Sequence, residues 1–272
     1  KAEGTSAILD AAEALGEGCE IGVYLCNGEF CSPAQAREQP LLASASNWHV
    51  LGQFACRFCR EFPAVLIDIG STTTDIIPLG PTGVEAVGAT DPERLATGEL
   101  VYTGIERSPV SALVRTLPWH GERCSVAQEL FATAAEAYVV LGKVAEDADS
   151  TDTADGRPLT KEYSHARLAR MICGDTSLVD WENTRQMAVE IRDAQLELLQ
   201  AAFQQVLGRL KTDPRTIVLS GHGEFLGRLL IEKTGIDAEV SSLSESLGPE
   251  LSRCAPAHAL AVLARERLGQ DG

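Results

Sequence analysis

The stretch "AVLIDIGSTTTDIIPLG", residues 64–80, limits the fold more than any other part of the chain. Its first six residues are apolar apart from Asp68, which is the pattern of a strand covered on both faces. A carboxylate is costly to bury unless it meets a cation or hydrogen-bond donors, and Gly70 permits a turn that other residues resist. Ile76 and Ile77 then resume the apolar pattern. We therefore predict a buried strand, a polar turn and a second strand.

The turn is rich in hydroxyl groups and is followed by a second carboxylate, Asp75. Backbone N–H groups and hydroxyls gathered around a glycine suit a phosphate group. Mg²⁺ is often held by one or two carboxylates together with substrate phosphates, so Asp68 and Asp75 are candidate Mg²⁺ ligands. The alternative is a plain hairpin, because Ser and Thr stabilise turns without any ligand. The candidate phosphate-binding residues are Gly70, Ser71, Thr72 and Thr73.

The acidic balance of the chain restricts its partners. Among 272 residues, 39 are Asp or Glu and 23 are Lys or Arg, giving a formal charge of -16. The electrostatic field of this negative net charge repels nucleic acid and anionic membrane surfaces, so we expect neither as a partner. No apolar run reaches the about 18 residues of a membrane span and no signal peptide is visible, which favours the cytoplasm. A phosphorylated small molecule would have to be held by local features such as Mg²⁺, backbone amides and a few arginines.

A second glycine turn follows another apolar run in "TIVLSGHGEFLGRLL", residues 216–230. A strand, a glycine turn and a helix N-terminus in this order suit contact with an anion or a nucleotide. The residues of this nucleotide-type turn are Ser220, Gly221, His222 and Gly223.

Helical patterns occupy much of the remaining chain, and together with the strands they predict an α/β fold. Thr90 or Asp91 leads Pro92 into a capped helical turn. We predict a helix over residues 125–144 and a long helix from residue 181. The expected inner stripe of the long helix is Met187, Ile191, Leu198, Phe203, Val206 and Leu210.

The cysteines allow two interpretations. Cys56 and Cys59 form a CxxC that Cys26 and Cys31 could complete as a four-thiolate zinc site. The surrounding "WHVLGQFACRFCREF" has helical spacing, which favours thiols packed on a buried helical face.

Several stretches in order resemble one family. The pair "DIGSTTTD" and "VLSGHG" is similar to the acetate kinase, sugar kinase, Hsp70 and actin superfamily. More closely, "LLASASNWH", "IDIGSTTTDIIPL", "TDPERLATGELVYTG", "AQELFAT" and "DTADGRP" resemble the hydantoinase A/oxoprolinase-related family linked to tetrahydromethanopterin one-carbon transfer. The resemblance implies a two-lobed, ribonuclease H-like architecture. No DxGG-type phosphate loop precedes Asp68, so we expect either that the first lobe is incomplete at the N-terminus or that this lobe is reduced. The implied divisions are residues 1–63 for the remainder of the first lobe, 64–252 for the second lobe and 253–272 for a returning C-terminal helix.

The resemblance implies an enzyme of methanofuran biosynthesis, or of a bacterial methanofuran analogue. Such a transferase would join an aminomethylfuran-methyl diphosphate to the phenol of a tyramine- or tyrosine-type acceptor and release diphosphate. Its small-molecule partners would be this diphosphate and the phenolic acceptor, with Mg²⁺ as cofactor. Asp68 would act with the metal, and Glu99 or His49 would take the phenol proton. The implied substrate-binding residues are Trp48, Tyr102, Arg107, Asp155 and Arg157.

Two other functions fit the same loops. The first is an ATP-dependent small-molecule kinase or hydantoinase/oxoprolinase-like hydrolase, in which residues 220–223 contact adenosine. The second is a non-catalytic nucleotide-binding protein, which would bind without turnover. The sequence does not fix the oligomeric state.

Overall fold

The computed structural model describes residues 1–270, in which helices alternate with short strands. In chain order the elements are α1 (Ala2–Leu15), β1 (Val23–Tyr24), β2 (Phe30–Cys31), α2 (Pro33–Glu38), α3 (Pro40–Ala43), α4 (Asn47–Ala55), β3 (Ala64–Ile69), β4 (Thr74–Gly80), β5 (Gly83–Val84), α5 (Asp91–Thr97), β6 (Leu100–Val101), α6 (Val110–Leu113), β7 (Thr116–Trp119), β8 (Glu122–Ser125), α7 (Ala134–Val140), α8 (Lys161–Arg170), α9 (Trp181–Leu207), β9 (Thr216–Ser220), α10 (Glu224–Thr234), β10 (Glu239–Ser242), α11 (Leu243–Leu247), α12 (Pro249–Arg253) and α13 (Ala255–Gln270).

A mixed sheet of six strands forms the centre of the fold. Strand β3 pairs antiparallel with β4 on one side and parallel with β9 on the other, and β10 continues the parallel part. Strands β5 and β6 both pair antiparallel with β4. The predicted α/β class is therefore confirmed, with a mixed sheet.

Both faces of β3 are covered, which confirms the predicted buried strand. Leu66 packs in a cluster that includes Phe54 of α4 and Ala259 of α13. Ile67 packs on the other face with Phe203 of α9 and with residues of α10. Since a strand sends successive side chains to opposite faces, an apolar run without alternation is needed to satisfy both layers.

The predicted cap before Pro92 is confirmed at Thr90. The side chains of Thr90 and Glu93 cap α5 reciprocally, and Gly98 ends the helix in the left-handed region with φ 73°. Helix α5 therefore has a fixed start and end, which positions Arg94 on its buried side.

The prediction of one helix over residues 125–144 is wrong for its first half. Ser125 ends β8, and α7 begins only at Ala134. The chain between them forms long-range backbone hydrogen bonds with residues 108–110 instead. Val110 N donates to Ala132 O, and Ala134 N donates to Ser108 O. These long-range bonds satisfy backbone groups that a helix would otherwise have paired locally.

The inner stripe of α9 also needs correction. Leu198 is 45% exposed, whereas Leu199 is fully buried, and Leu210 lies beyond the end of the helix. Steps of four residues from Met187 and Ile191 pass through Gln195 to Leu199, so the buried stripe contains a polar side chain.

Within residues 1–270, no helix has the length and apolar content needed to cross a bilayer.

Candidate functional site

Two turns meet at one end of the central sheet, where β3 and β9 run parallel and end side by side. The strand register sets Asp68 opposite Asp75 on β4 and opposite Ser220 on β9. Residues opposite one another in a sheet project from the same face, so these three polar side chains form one row. The carboxyl ends of parallel strands are a common place for ligands in α/β proteins.

Asp68 lies at the centre of this row without a cationic partner. It forms no ion pair with another side chain in residues 1–270. Burial, reinforced by the charge of Asp75, raises the pKa of Asp68 to about 7. Such a shift means that the surroundings disfavour the ionised carboxylate unless a cation or further donors reach it. Of the three polar residues in the row, Asp68 is therefore the best suited to a ligand that brings positive charge.

Asp75 differs because Arg94 neutralises it. Arg94 Nη2 lies 2.7 Å from Asp75 Oδ1, and both side chains are almost fully buried. The same nitrogen donates to the carbonyl of Glu99 at 3.0 Å, and the guanidinium lies 4.0 Å from the centre of the Trp48 ring. Burial raises the pKa of Asp75, and the charge of Arg94 opposes that rise. Any cation bound by Asp75 would have to share this carboxylate with Arg94.

The turn of residues 70–73 presents backbone donors without protein partners. Gly70 N donates to Thr73 O at 3.0 Å and closes the turn. Among the described residues, the N–H groups of Ser71, Thr72 and Thr73 donate to no acceptor. Adjacent free N–H groups form a concavity that favours an anion. The turn therefore has the donors that the predicted phosphate site requires.

The segment of residues 104–107, which follows β6, packs against this turn and forms hydrogen bonds with it. The N–H groups of residues 105–107 donate to the carbonyls of Gly70 and Ser71, at distances of 2.9 to 3.0 Å. A Cβ atom on Gly104 would lie 2.5 Å from Gly70 O, so a larger residue would push the turn out of place. The carbonyls of Gly70 and Ser71 thus accept hydrogen bonds from the protein, while the N–H groups of residues 71–73 remain available.

Gln195 of α9 fixes the same segment from the interior. Its Nε2 donates to Thr103 Oγ1 and Gly104 O, both at 2.8 Å. Its Oε1 accepts from the Tyr138 hydroxyl at 2.6 Å. A fully buried amide with these partners links the long helix α9 to the turn of residues 70–73 through Gly104.

The second turn, residues 220–223, packs directly on the end of β3. Gly223 N donates to Ile69 O at 3.0 Å. Gly221 has φ 82°, and a Cβ atom there would lie 2.4 Å from Ile69 O and 2.9 Å from Asp68 Oδ1. Glycine is required at position 221 both by the backbone angle and by the lack of space.

We expect Gly221→Ala to destabilise the protein more than Gly235→Ala does. Gly235 also has a positive φ, 67°, but open space surrounds its missing Cβ, so it isolates the cost of the backbone angle. The contact with β3 should add about 1–3 kcal/mol at Gly221. Urea unfolding of both variants measures the difference, and equal losses of stability would show that the turn adapts freely.

A cleft of about 890 Å³ opens beside the two turns. His222 and Glu106 line it, and His222 Nε2 lies 3.0 Å from Glu106 Oε1. Arg253 Nη2 lies 3.5 Å from the same oxygen. The interaction with His222, together with the charges of Arg253 and Arg107, holds the pKa of Glu106 below its usual range. The cleft therefore has an ionised carboxylate and an imidazole next to the turn of residues 70–73.

The two predicted proton acceptors, Glu99 and His49, form hydrogen bonds with protein groups away from the cleft. Glu99 is fully buried and accepts from the N–H groups of Val87 and Gly88, with Arg209 Nη2 at 3.1 Å. His49 Nδ1 lies 2.9 Å from the Tyr24 hydroxyl, and burial lowers the pKa of His49 to about 4. These contacts favour structural roles, because neither group lines the cleft.

The predicted substrate-binding residues are not gathered in one place. Arg107 lines the cleft, 4.0 Å from Asp152, and Tyr102 is 71% exposed. Trp48 is buried against Arg94. Asp155 and Arg157 pair with each other, at 2.7 Å, outside the residues that line the cleft.

Asp155 belongs to a separate structural cluster. Its Oδ1 accepts from the fully buried Arg167 at 3.0 Å, and its Oδ2 accepts from Arg170 at 3.1 Å. Arg167 Nε in turn donates to Glu136 Oε1 at 2.7 Å. The pKa of Asp155 is lowered because hydrogen bonds from Arg157 and Arg167 outweigh the effect of burial. The cluster connects the loop of residues 145–158 to α7 and α8, and its ion pairs engage both carboxylate oxygens of Asp155.

Four contributors to the site were missed from the sequence. Arg94 and Glu106 are charged residues in a segment that begins with the predicted capped helical turn, and nothing in the local sequence indicated their partners. Gly104 was noticed only as a break in periodicity. Gln195 was detectable, because it is a polar residue at a four-residue step inside an apolar stripe.

The CxxC thiols pack against the core. Cys56 Sγ donates to Gly52 O at 3.4 Å, and Cys59 Sγ donates to Ala55 O at 3.5 Å. Burial raises the pKa of both thiols, that of Cys59 to about 12. Among the residues that the structure describes, no three His, Cys, Asp or Glu side chains are grouped so that they could hold a metal ion.

Comparison with known proteins identifies related chains. A family model described as hydantoinase/oxoprolinase matches residues 2–267. A protein of Methanocaldococcus jannaschii named (4-{4-[2-(gamma-L-glutamylamino)ethyl]phenoxymethyl}furan-2-yl)methanamine synthase is 31% identical over 268 residues, which cover 98% of this chain and 78% of the relative. A protein of Methanococcus vannielii with the same name is 32% identical, covering 75% of this chain and 91% of its own.

One solved structure is also similar. An ATP-dependent caprolactamase from Pseudomonas jessenii is 14% identical, with a TM-score of 0.47. The match covers 86% of this chain and 36% of the caprolactamase chain.

Proposed function

This chain belongs to the hydantoinase/oxoprolinase family, and we propose that it is an ether-forming transferase of the biosynthesis of methanofuran or a bacterial methanofuran analogue. It joins an aminomethylfuran-methyl diphosphate to the phenol of a tyramine- or tyrosine-type acceptor and releases diphosphate. The observation that carries this proposal is the 31% identity to the Methanocaldococcus jannaschii synthase over 98% of the chain. A match of that extent includes both turns and the row of polar residues between them.

The relative's printed name defines the bond that is made. A phenoxymethyl group attached to a furan contains an ether oxygen between a phenyl ring and a methylene carbon. Forming that ether from a phenol requires a leaving group on the methylene carbon and an acceptor for the phenol proton. A diphosphate leaving group fits the free N–H groups of the turn of residues 70–73, although the chain as a whole has a formal net charge of -16. Hydrogen-bond donors beside the diphosphate must then overcome its repulsion by the net negative charge of the protein.

The turn of residues 70–73 is suited to hold the diphosphate. The free N–H groups of Ser71, Thr72 and Thr73 can donate to its oxygens. These donors act more strongly as charge develops on the departing oxygen, so they stabilise the transition state more than the bound substrate. The segment of residues 104–107 keeps the turn rigid, because it occupies the turn's carbonyls.

The residues of the row fit Mg²⁺ with Asp68 as its main protein ligand. Asp68 is a half-buried carboxylate with a raised pKa, and it forms no ion pair in the described residues, so a bound cation would stabilise its ionised form. Asp75 fits less well because Arg94 already neutralises it. Bound there, Mg²⁺ would neutralise charge on the leaving diphosphate. Asp68 would orient the diphosphate through the metal, and the buried Ser220 lies beside it on β9.

We also propose the two-lobed, ribonuclease H-like arrangement, with residues 1–63 as part of a first lobe and 64–252 as the second. In support, α13 packs on α4, so the C-terminal helix returns toward the N-terminal part of the chain. Residues 271–272 of the proposed third segment, 253–272, lie outside the described residues.

Product formation with ATP omitted tests the function. The purified chain is incubated with Mg²⁺, the furan diphosphate and tyramine, and the ether is sought by mass spectrometry. We expect ether and diphosphate in equal amounts, unchanged by added ATP. Consumption of ATP without ether would favour a kinase or hydrolase, and binding of ATP with no turnover of any substrate would favour a nucleotide-binding protein.

A further inference from the structure

The proposed reaction leaves one role unfilled, because the phenol must lose a proton. Glu99 and His49 are buried in contacts of their own and do not line the cleft. We propose that the cleft binds the phenolic acceptor and that His222 accepts the phenol proton, with Glu106 positioning its ring. This assignment rests on the proposed function and adds to it both an acceptor site and a catalytic residue.

The position of His222 is fixed by the backbone around it. The flanking Gly221 and Gly223 pack on the end of β3, and Gly223 N donates to Ile69 O. His222 therefore cannot shift along the sheet without breaking these contacts. Asp68, the proposed metal ligand, lies against the same turn, since a Cβ on Gly221 would approach its Oδ1 at 2.9 Å. The imidazole is thus held next to the place proposed for the diphosphate.

The carboxylate of Glu106 faces the imidazole of His222. Its Oε1 lies 3.0 Å from Nε2 of His222, and a carboxylate at this distance favours the proton on that nitrogen. Nδ1 is then the nitrogen that is left to accept a proton. The N–H group of Glu106 donates to Ser71 O at 3.0 Å, so one residue links the imidazole to the phosphate turn. A histidine oriented by a carboxylate is a common arrangement for a general base.

The walls of the cleft match an acceptor with an amino-acid tail. Its volume of about 890 Å³ is within the range of small-molecule sites. Apolar side chains suited to a phenyl ring are contributed by Ile105, Pro109, Leu130 and Val144. Cations suited to a carboxylate are contributed by Arg107, Lys143 and Arg253, and acids suited to an ammonium by Glu146, Asp147 and Asp152. The relative's product carries a gamma-L-glutamylamino group, which has one carboxylate and one ammonium of this kind.

The step balances without a redox partner. The phenol O–H bond breaks and its proton moves to Nδ1 of His222. The phenol oxygen forms a bond to the furan methylene carbon as the bond from that carbon to the diphosphate oxygen breaks. The electron pair leaves with the diphosphate, and the proton on His222 returns to solvent through the open cleft.

Phenols of graded acidity test the assignment. Tyramine and its mono-, di- and tetrafluorinated analogues are supplied with the furan diphosphate and Mg²⁺ to the wild-type chain and to His222→Asn. A matched control is His120→Asn, because His120 is exposed and lies in the β7–β8 turn, outside the residues that line the cleft. With tyramine, we expect His222→Asn to lower kcat by about 100-fold and His120→Asn to leave it unchanged.

The loss should shrink to less than about tenfold with the most acidic phenol, because that phenol ionises without a base. A structural role for His222 would give the same loss for every phenol, and that result would overturn the assignment. Wild-type rates in His222→Asn would overturn it as well, while the proposed function stood. Absence of ether from the wild-type chain would instead overturn the function and this assignment together.

Discussion

Asp68→Asn is expected to lower ether formation by about 10³-fold while the fold is retained. Asparagine keeps the shape of the side chain but removes the charge that would orient a cation on the diphosphate, and the loss of one such electrostatic contact costs about 10²–10³ in kcat. Steady-state rates at saturating Mg²⁺ measure the effect. Asp237→Asn is the control, because Asp237 is exposed and precedes the start of β10, at the end of the sheet opposite to both turns.

The same substitution should stabilise the free protein above pH 7. Burial raises the pKa of Asp68 from its ordinary value of 3.8 to about 7 in the folded protein, so ionisation of this carboxyl opposes folding. The wild type therefore loses stability relative to Asp68→Asn as pH rises from about 4 to about 7, by roughly 2–4 kcal/mol, and the difference is constant above that range. Urea unfolding without Mg²⁺ measures it. A difference that did not change with pH would mean that Asp68 is not desolvated.

Arg94→Met is expected to cause the largest loss of stability. The substitution leaves the Asp75 carboxylate buried and unpaired, which costs about 3–5 kcal/mol. It also removes the contact with the Trp48 ring and the hydrogen bond to Glu99 O, which joins α5 to β6. Urea unfolding at neutral pH measures the loss.

The double variant Arg94→Met, Asp75→Asn separates the ion pair from packing. Because it leaves no buried charge unpaired, it should recover much of the stability that Arg94→Met loses. If the double variant loses as much stability as the two single variants together, Arg94 stabilises the fold through Trp48 and the backbone alone.

Local signals in the sequence predicted the parts of the fold that depend on neighbouring residues. The run before Gly70 predicted β3 because six nearly continuous apolar residues suit only a strand covered on both faces. Thr90 predicted the start of α5 because its cap involves a residue three positions later. The turn at Gly221 was likewise visible from its two glycines.

Contacts between distant parts of the chain could not be predicted in this way. Arg94 reaches Asp75 only because α5 folds back over the start of β4, and no spacing between the two residues indicates this. Glu106 and His222 lie on different loops that meet only when β3 and β9 pair. Residues 126–133 were predicted as helix from composition, yet they bond to residues 108–110, which lie outside any local window.

The most direct test of the central claim follows the phenol oxygen. Tyramine labelled with ¹⁸O in its hydroxyl group is supplied with the furan diphosphate and Mg²⁺, without ATP, and the ether is analysed by mass spectrometry. Our account predicts that the ether keeps the label, with one diphosphate released for each ether formed. An ether without the label, or ATP consumption in place of ether, would contradict the assignment of this chain as a transferase that uses a diphosphate substrate.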